Sequence, residues 1–279
     1  MKKISSQQQI NIKELRRKGY SYKEISKRFK ISKATSYKYC KNINVSKEGL
    51  SRLKIKEEKN IKRFIERFAT AREVREPKEF SLSLVRIMSH CLFDGCVKGD
   101  GVIYSNASIE LIEEFRKDMK EVFGVSPILI KEIRKITPYW MVYYNYKKIS
   151  DFLRRFSLSY STSSSEAIIP SFLFNSNTDI ISEYLRCFWD DEGAVKCNGD
   201  VTGKTKSNKI ANKLVKLHSK LGIDIRKYFD TKNLAYELYV IRGLNLRHFK
   251  ERIGFKYGIV CRGKFMGLKK SEVLNTMLK

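Results

Sequence analysis

The chain is short of the residues that punctuate a structure or fix it covalently. Among 279 residues there are 4 Pro, 3 His and 6 Cys, the Cys at positions 40, 91, 96, 187, 197 and 261. No two of them form a C-x-x-C pair, which excludes a readable zinc ribbon or thiol redox motif and leaves buried free thiols. No apolar run approaches the roughly 18–20 residues of a membrane span, and a run such as Tyr139 to Tyr144 is strand-sized. The start, Met1-Lys2-Lys3-Ile4-Ser5-Ser6-Gln7, has neither an apolar segment nor a small-residue cleavage site, so a cytoplasmic location is expected. Acidic residues are scarce too: 30 Asp and Glu face 57 Lys and Arg, a formal charge of +27. Such an excess points to a polyanionic partner. It is no tail effect, because residues 1–80 carry 24 basic and 9 acidic side chains and the remainder 33 and 21. Apolar residues at 42% suffice for a core, and the length suits one large or two unequal domains.

Three short helices are expected over residues 10–41. Ile10, Ile12 and Leu15 form an apolar stripe, Gly19-Tyr20-Ser21 breaks it, and Ser21 can cap a helix over 22–29 with Ile25 and Phe29 on one face. Ser32 caps a third helix over 33–41, in which Ala34 and Tyr37 can face inward and Lys33, Thr35, Ser36 and Lys38 stay available to DNA. The pattern Lys18-Gly19-Tyr20-Ser21 to Ile25, then Ile31-Ser32-Lys33-Ala34-Thr35, resembles the helix-turn-helix of resolvase and transposase arms, whose last helix enters the major groove. This sets a module at 1–45, a charged linker helix at 46–80 with Pro77 near its end, and a larger domain over 81–279.

That larger domain repeats itself. Asp94-Gly95 and Glu192-Gly193 lie 98 residues apart, as do Ile112 and Ile210, Met119 and Leu217, Phe123 and Leu221, Gly124 and Gly222, and Val125 and Ile223, with no insertion apparent. Each copy opens with an apolar helix: Leu84, Met88, Cys91 and Leu92 in one, Ile181, Leu185, Phe188 and Trp189 in the other. Helices apolar nearly all round belong at the centre of a protein. A polar hairpin, an amphipathic helix, two strands and a short helix follow in each, giving an α+β fold of tandem αββαββα halves with pseudo-twofold symmetry. The copies span about 82–157 and 178–255, with a C-terminal extension at 256–279.

The central helices end Ser89-His90-Cys91-Leu92-Phe93-Asp94-Gly95 and Cys187-Phe188-Trp189-Asp190-Asp191-Glu192-Gly193. Here the sequence resembles the LAGLIDADG homing endonucleases in their single-chain, two-motif form. Both copies keep an acid before a glycine and a small residue, Ser89 or Cys187, where helix backbones would meet; only the second keeps the other acidic position, where the first has Leu92. Met88 and Arg186 stand where Ala is usual, and His90 takes an apolar position.

The resemblance implies a metal-dependent, site-specific cut in double-stranded DNA. Asp94 and Glu192, each with its following Gly95 or Gly193, would hold Mg²⁺ or Mn²⁺, hard cations suited to carboxylates. It further implies a central basic residue in each half, for which Lys131 and Lys227 are the candidates. The hairpins would lie in the major groove with Lys98, Tyr104 and Asn106 in one half and Lys196, Lys204 and Lys206 in the other. His218 and His248 read as structural. A monomer with internal symmetry is expected. Two other readings stand beside this one: a non-cleaving DNA-binding regulator on the same fold, and an RNA-splicing maturase. An intein is disfavoured by Met1 and by the ending Thr276-Met277-Leu278-Lys279.

Overall fold

Serine caps start three of the first helices, and they explain where the chain turns. In α1 (Ser6–Arg17) and α2 (Tyr22–Phe29), Ser5 and Ser21 accept from the backbone three residues on, while Gln8 and Glu24 reach back to the cap N–H groups. Ser32 caps α3 (Lys33–Cys40) through Thr35 N, 3.0 Å away. Ile12, Ile25 and Cys40 form the small core of this layer. The computed structural model describes residues 4–69, 74–127, 129–132, 139–157, 160, 165–196, 198–261 and 263–278, and side chains within these except those of 60–69, 98 and 129–132.

The face of α3 differs from expectation. Ser36 and Cys40, four residues apart, point into the core, whereas Ala34 is exposed and Tyr37 is 53% exposed, edge-on to Tyr22. A fully buried Ser36 cannot touch DNA, so it leaves the candidate set; Lys33, Thr35 and Lys38 remain on the accessible side. Helix α4 (Lys47–Ala69) begins as part of this unit and not as a free linker. Lys56 pairs with Glu24 at 2.8 Å and the Arg52 guanidinium stacks 3.6 Å over the Tyr20 ring.

The chain divides into two compact units, Met1–Arg72 and Glu73–Lys279. The second holds α5 (Leu82–Leu92), β1 (Gly95–Lys98), β2 (Gly101–Asn106), α6 (Ile109–Phe123), β3 (Leu129–Glu132), β4 (Trp140–Asn145) and α7 (Lys147–Phe156). Then come α8 (Thr178–Glu192), β5 (Gly193–Val195), β6 (Val201–Thr205), α9 (Asn208–Lys220), β7 (Ile225–Asp230), β8 (Ala235–Val240), α10 (Leu244–Arg252) and α11 (Lys270–Met277). The strands form two antiparallel sheets, ordered β1-β2-β4-β3 and β5-β6-β8-β7. The architecture is α+β, with one apolar core beneath each sheet.

The two copies are not in simple register. Gly95 pairs with Tyr104, but Gly193 pairs with Gly203, so the second hairpin holds one residue more. The helix caps repeat the step, from Ser108 to Ser207, and a shorter α9, 13 residues against 15 in α6, restores the 98-residue offset at Gly124 and Gly222. The insertion-free repeat is corrected accordingly. Tyr104 is matched by Gly203 and Asn106 by Thr205. Each gap is closed by a complementary size swap: Tyr104 packs on the smaller His90, and Gly203 faces Phe188, His90's counterpart.

Candidate active site

Helices α5 and α8 start from side-chain caps, Ser81 on Leu84 N and Asn177 on Ile180 N, and pack along their length. Their contacts run in the same order on both. Arg86 Nη1 donates to Glu183 Oε1 at 2.8 Å, Ser89 Oγ to the Tyr184 carbonyl at 2.9 Å, and the Phe93 and Phe188 rings meet at 4.9 Å. The helices are therefore parallel, and Ser89 provides the close approach expected of a small residue. Arg186, unusual at its position, is satisfied by Glu183 and Asp190, each at 2.8 Å.

Each helix gives way to a strand that begins on a glycine, Gly95 or Gly193. A Cβ on Gly95 would lie 2.8 Å from the His90 carbonyl oxygen, and one on Gly193 2.4 Å from that of Trp189. The strands thus leave tight against the helix ends, and the preceding acids, Asp94 and Glu192, stay where the helices meet. Asp191 joins them. One amide nitrogen, Asn106 Nδ2, donates to Asp94 Oδ2 at 2.9 Å and to Asp191 Oδ1 at 3.3 Å. Tyr104 Oη donates to Asp191 Oδ1 at 2.8 Å, and His90 Nδ1 lies 2.8 Å from Asp191 Oδ2.

Burial and mutual repulsion dominate the electrostatics. Burial, then the charges of Asp191 and Glu192, push the Asp94 carboxyl up to about 9; burial and Asp191 push Glu192 up to about 7. Burial works against protonation of His90, but the charges of Asp191 and Cys187 and the hydrogen bonds to both together outweigh it and hold the imidazole well above its ordinary range. Among the described residues no set of three or more His, Cys, Asp and Glu side chains forms a ready metal cage. Two buried carboxylates, each repelled by Asp191, nonetheless fit Mg²⁺, which is commonly bound through one or two carboxylates with water and phosphate completing its shell.

Several expected DNA contacts lie elsewhere. Tyr104 and Asn106 are buried, because β2 turns alternate residues inward and both fall on the inward set. They serve the acids and do not reach solvent. Lys227 stands opposite buried Leu238 on the helix side of its sheet, where it donates to Asn208 and Asn212 of α9. It is not beside the motif acids and is withdrawn as a central base. Lys131 pairs with Met141 in β3, so in ladder position it matches Tyr228 and not Lys227. The side chains of Lys131 and Lys98 lie outside the described residues. Lys196 is held by Glu237 at 3.0 Å and Lys204 by Asp230 at 3.0 Å, while Lys206 is exposed. Lys204 and Lys206 line a 760 Å³ cavity that also opens on Glu192. Buried His218 accepts from Trp189 Nε1 at 2.8 Å, and burial lowers it to about 4, a neutral structural role.

One buried basic group beside the acids is missed by sequence reasoning. Lys270 opens α11, is 5% exposed, and donates to the carbonyls of Trp189 and Asp190 at 3.2 and 2.6 Å, covering the negative end of α8. Asp190 is fixed in the same corner by the N–H groups of Lys256 and Gly258, both at 3.0 Å. Nothing in the sequence around Lys270 separates it from a surface lysine.

Residues 179–254 match the family model described as a LAGLIDADG-like domain. Over 189 residues the chain is 23% identical to the glutamine–fructose-6-phosphate aminotransferase [isomerizing] of Methanocaldococcus jannaschii, a stretch that takes 65% of this chain and 17% of that protein. The chain thus spans less than a fifth of that relative. Among solved structures, the homing endonuclease I-DmoI in complex with DNA and Mn is 15% identical with a TM-score of 0.46, over 62% of this chain and 96% of that one. Full-length DUF199/WhiA from Thermatoga maritima is 14% identical with a TM-score of 0.47, over 72% and 61%. Among the described residues no helix is long and apolar enough to cross a membrane.

Proposed function

We propose that the chain is a divalent-metal-dependent endonuclease that cuts both strands of a specific DNA site, acting as a cytoplasmic monomer. The observation that carries this reading is the convergence of Asp94 and Glu192 from equivalent places in two halves, at the shared end of parallel helices, where burial suppresses their charge. Carboxylates crowded in this way gain most from a cation between or beside them, which places Mg²⁺ or Mn²⁺ on Asp94 and Glu192 next to Gly95 and Gly193. The ion would supply charge stabilisation and water activation for phosphodiester hydrolysis. The protein's own part is positional: Ser89 lets the two helices approach, each glycine lets a strand leave tight against its own helix end, Lys270 holds the second end, and Lys204 and Lys206 draw a phosphate toward Glu192. A charge of +27 over the chain supplies the long-range attraction to duplex DNA. Lys33, Thr35 and Lys38 of α3 would add contacts through the N-terminal helix-turn-helix.

The test is cleavage of duplexes selected from a random library with Mg²⁺. Asp94→Asn and Glu192→Gln should each abolish double-strand cutting and leave duplex binding in Ca²⁺ nearly unchanged. Variants that cut both strands as fast as the parent refute the assignment.

A further inference from the structure

The two acids do not stand in equivalent surroundings. Asp94 accepts a hydrogen bond from Asn106, and the same amide nitrogen reaches Asp191 of the other motif helix, itself held by Tyr104 and His90. Glu192 has no such support: among the described residues no side-chain donor hydrogen-bonds to it, and it opens on the 760 Å³ cavity with Lys204 and Lys206. The register explains the difference. The position matching Asn106 is Thr205, and the position matching Tyr104 is Gly203, so the second half has neither the amide nor the phenol. The positions matching His90 and Asp191 are Phe188 and Phe93, whose rings simply pack.

Resting on the nuclease reading of this site, we propose that Asn106 is a positioning residue for the Asp94 half alone, tying that acid to the opposite motif helix through Asp191, so that the two DNA strands are cut by unequal half-sites. The Asp94 carboxylate is oriented before the metal arrives, whereas Glu192 is oriented by the metal and the DNA phosphate themselves. Neighbours that orient a metal's ligands commonly affect affinity or rate by about 10–100-fold when removed.

The second half supplies the substitution for the test. Thr205 Oγ1 accepts from Ser207 N, as Asn106 Oδ1 accepts from Ser108 N, so Asn106→Thr keeps the helix cap and removes only the amide donor. Asn106→Ser serves as a second variant with the same hydroxyl acceptor, and an unchanged unfolding transition checks that each folds. Two readouts are taken. Terbium luminescence measures ion binding without cutting, in Glu192→Gln, which keeps Asp94 of the two proposed ligands, and in Asp94→Asn, which keeps Glu192. Strand-specific nicking of an end-labelled duplex measures each strand, the Asp94 strand being the one slowed more by Asp94→Asn. Asn106→Thr should weaken terbium binding about tenfold in the Glu192→Gln background and leave it unchanged in the Asp94→Asn background. It should slow the Asp94 strand by a similar factor and spare the other. Equal loss in both backgrounds, or no loss in either, overturns the inference. Terbium binding with the expected inequality but no cutting of any duplex supports the positioning role of Asn106 and sinks the nuclease reading, and with it the unequal cutting of the strands. No terbium binding by the parent protein sinks both.

Discussion

Replacing Asp94 by Asn should stabilise the metal-free protein at neutral pH, and the size of the effect follows from its surroundings. An ordinary aspartate titrates at 3.8, but burial and the charges of Asp191 and Glu192 raise Asp94 to about 9. At pH 7 the unfolded chain has therefore released a proton that the folded chain retains. The sign is that of a group raised on folding: its stabilisation is complete below pH 3.8 and is lost as pH rises toward 9. With 1.36 kcal/mol per unit, the loss between pH 3.8 and pH 7 reaches about 4 kcal/mol. Asparagine has no proton to lose and keeps an oxygen for Asn106 Nδ2, so the variant escapes this penalty. For a unit of this size the melting temperature at pH 7 should rise on the order of 10 °C. Trp140 and Trp189, the only tryptophans, both lie in the second unit, so intrinsic fluorescence follows its unfolding without interference from the first. Parent and variant should melt together near pH 4 and separate steadily up to pH 9. A variant no more stable than the parent at pH 8, or two parallel pH profiles, would refute the idea that Asp94 is held against its charge.

Other consequences are accessible to simpler measurements. Removing residues 1–72 should weaken DNA binding and shorten the footprint while metal-dependent cutting persists at higher protein concentration; a folded, site-saturating fragment that cannot cut would place the first unit in the chemistry. Neutralising Lys33 and Lys38 together should reduce the slope of log K against log salt by up to about two, and Ser36→Ala should leave it unchanged, which titrations of one duplex would decide. Gly203→Ala should destabilise the second unit by about 1–3 kcal/mol, because its Cβ would meet the Phe188 ring at 2.9 Å and Trp189 at 3.2 Å; an unchanged denaturation midpoint would contradict the size match.

What the sequence made legible was whatever rests on short-range periodicity or a cap. Ser21, Ser32 and the i, i+4, i+7 stripes of α5 and α8 mark helices within a residue or two, and the acid-glycine pairs mark the helix ends. What it concealed depends on register or on distant contact. The extra hairpin residue hides because α9 is shorter by more than enough to restore the offset at Gly222. Tyr104 and Asn106 looked like groove-reading residues, since a one-residue shift in a strand exchanges its faces and no local signal fixes which is which. For α3, only the packing of Cys40 beside Ile12 shows that Ser36 points inward. Lys270 lies 78 residues beyond Glu192, and its place at the end of α8 comes from the path of the C-terminal segment alone. Asp191 was visible as an acid, but its partners His90 and Tyr104 belong to the other copy.

The unlike pairs along the central seam give each half a mate it can recognise. His90 meets Asp191 on one side of the seam, and Phe93 meets Phe188 on the other. A hypothetical protein assembled from two first halves would set both imidazoles against phenylalanine rings, with no counterpart of Asp191 to answer them. One assembled from two second halves would press both Asp191 carboxylates against Phe188. Neither self-pairing gives His90 or Asp191 a partner of opposite charge, while the natural arrangement pairs the two. The two halves thus share a backbone plan but differ in side chains along their seam, where each supplies what the other lacks.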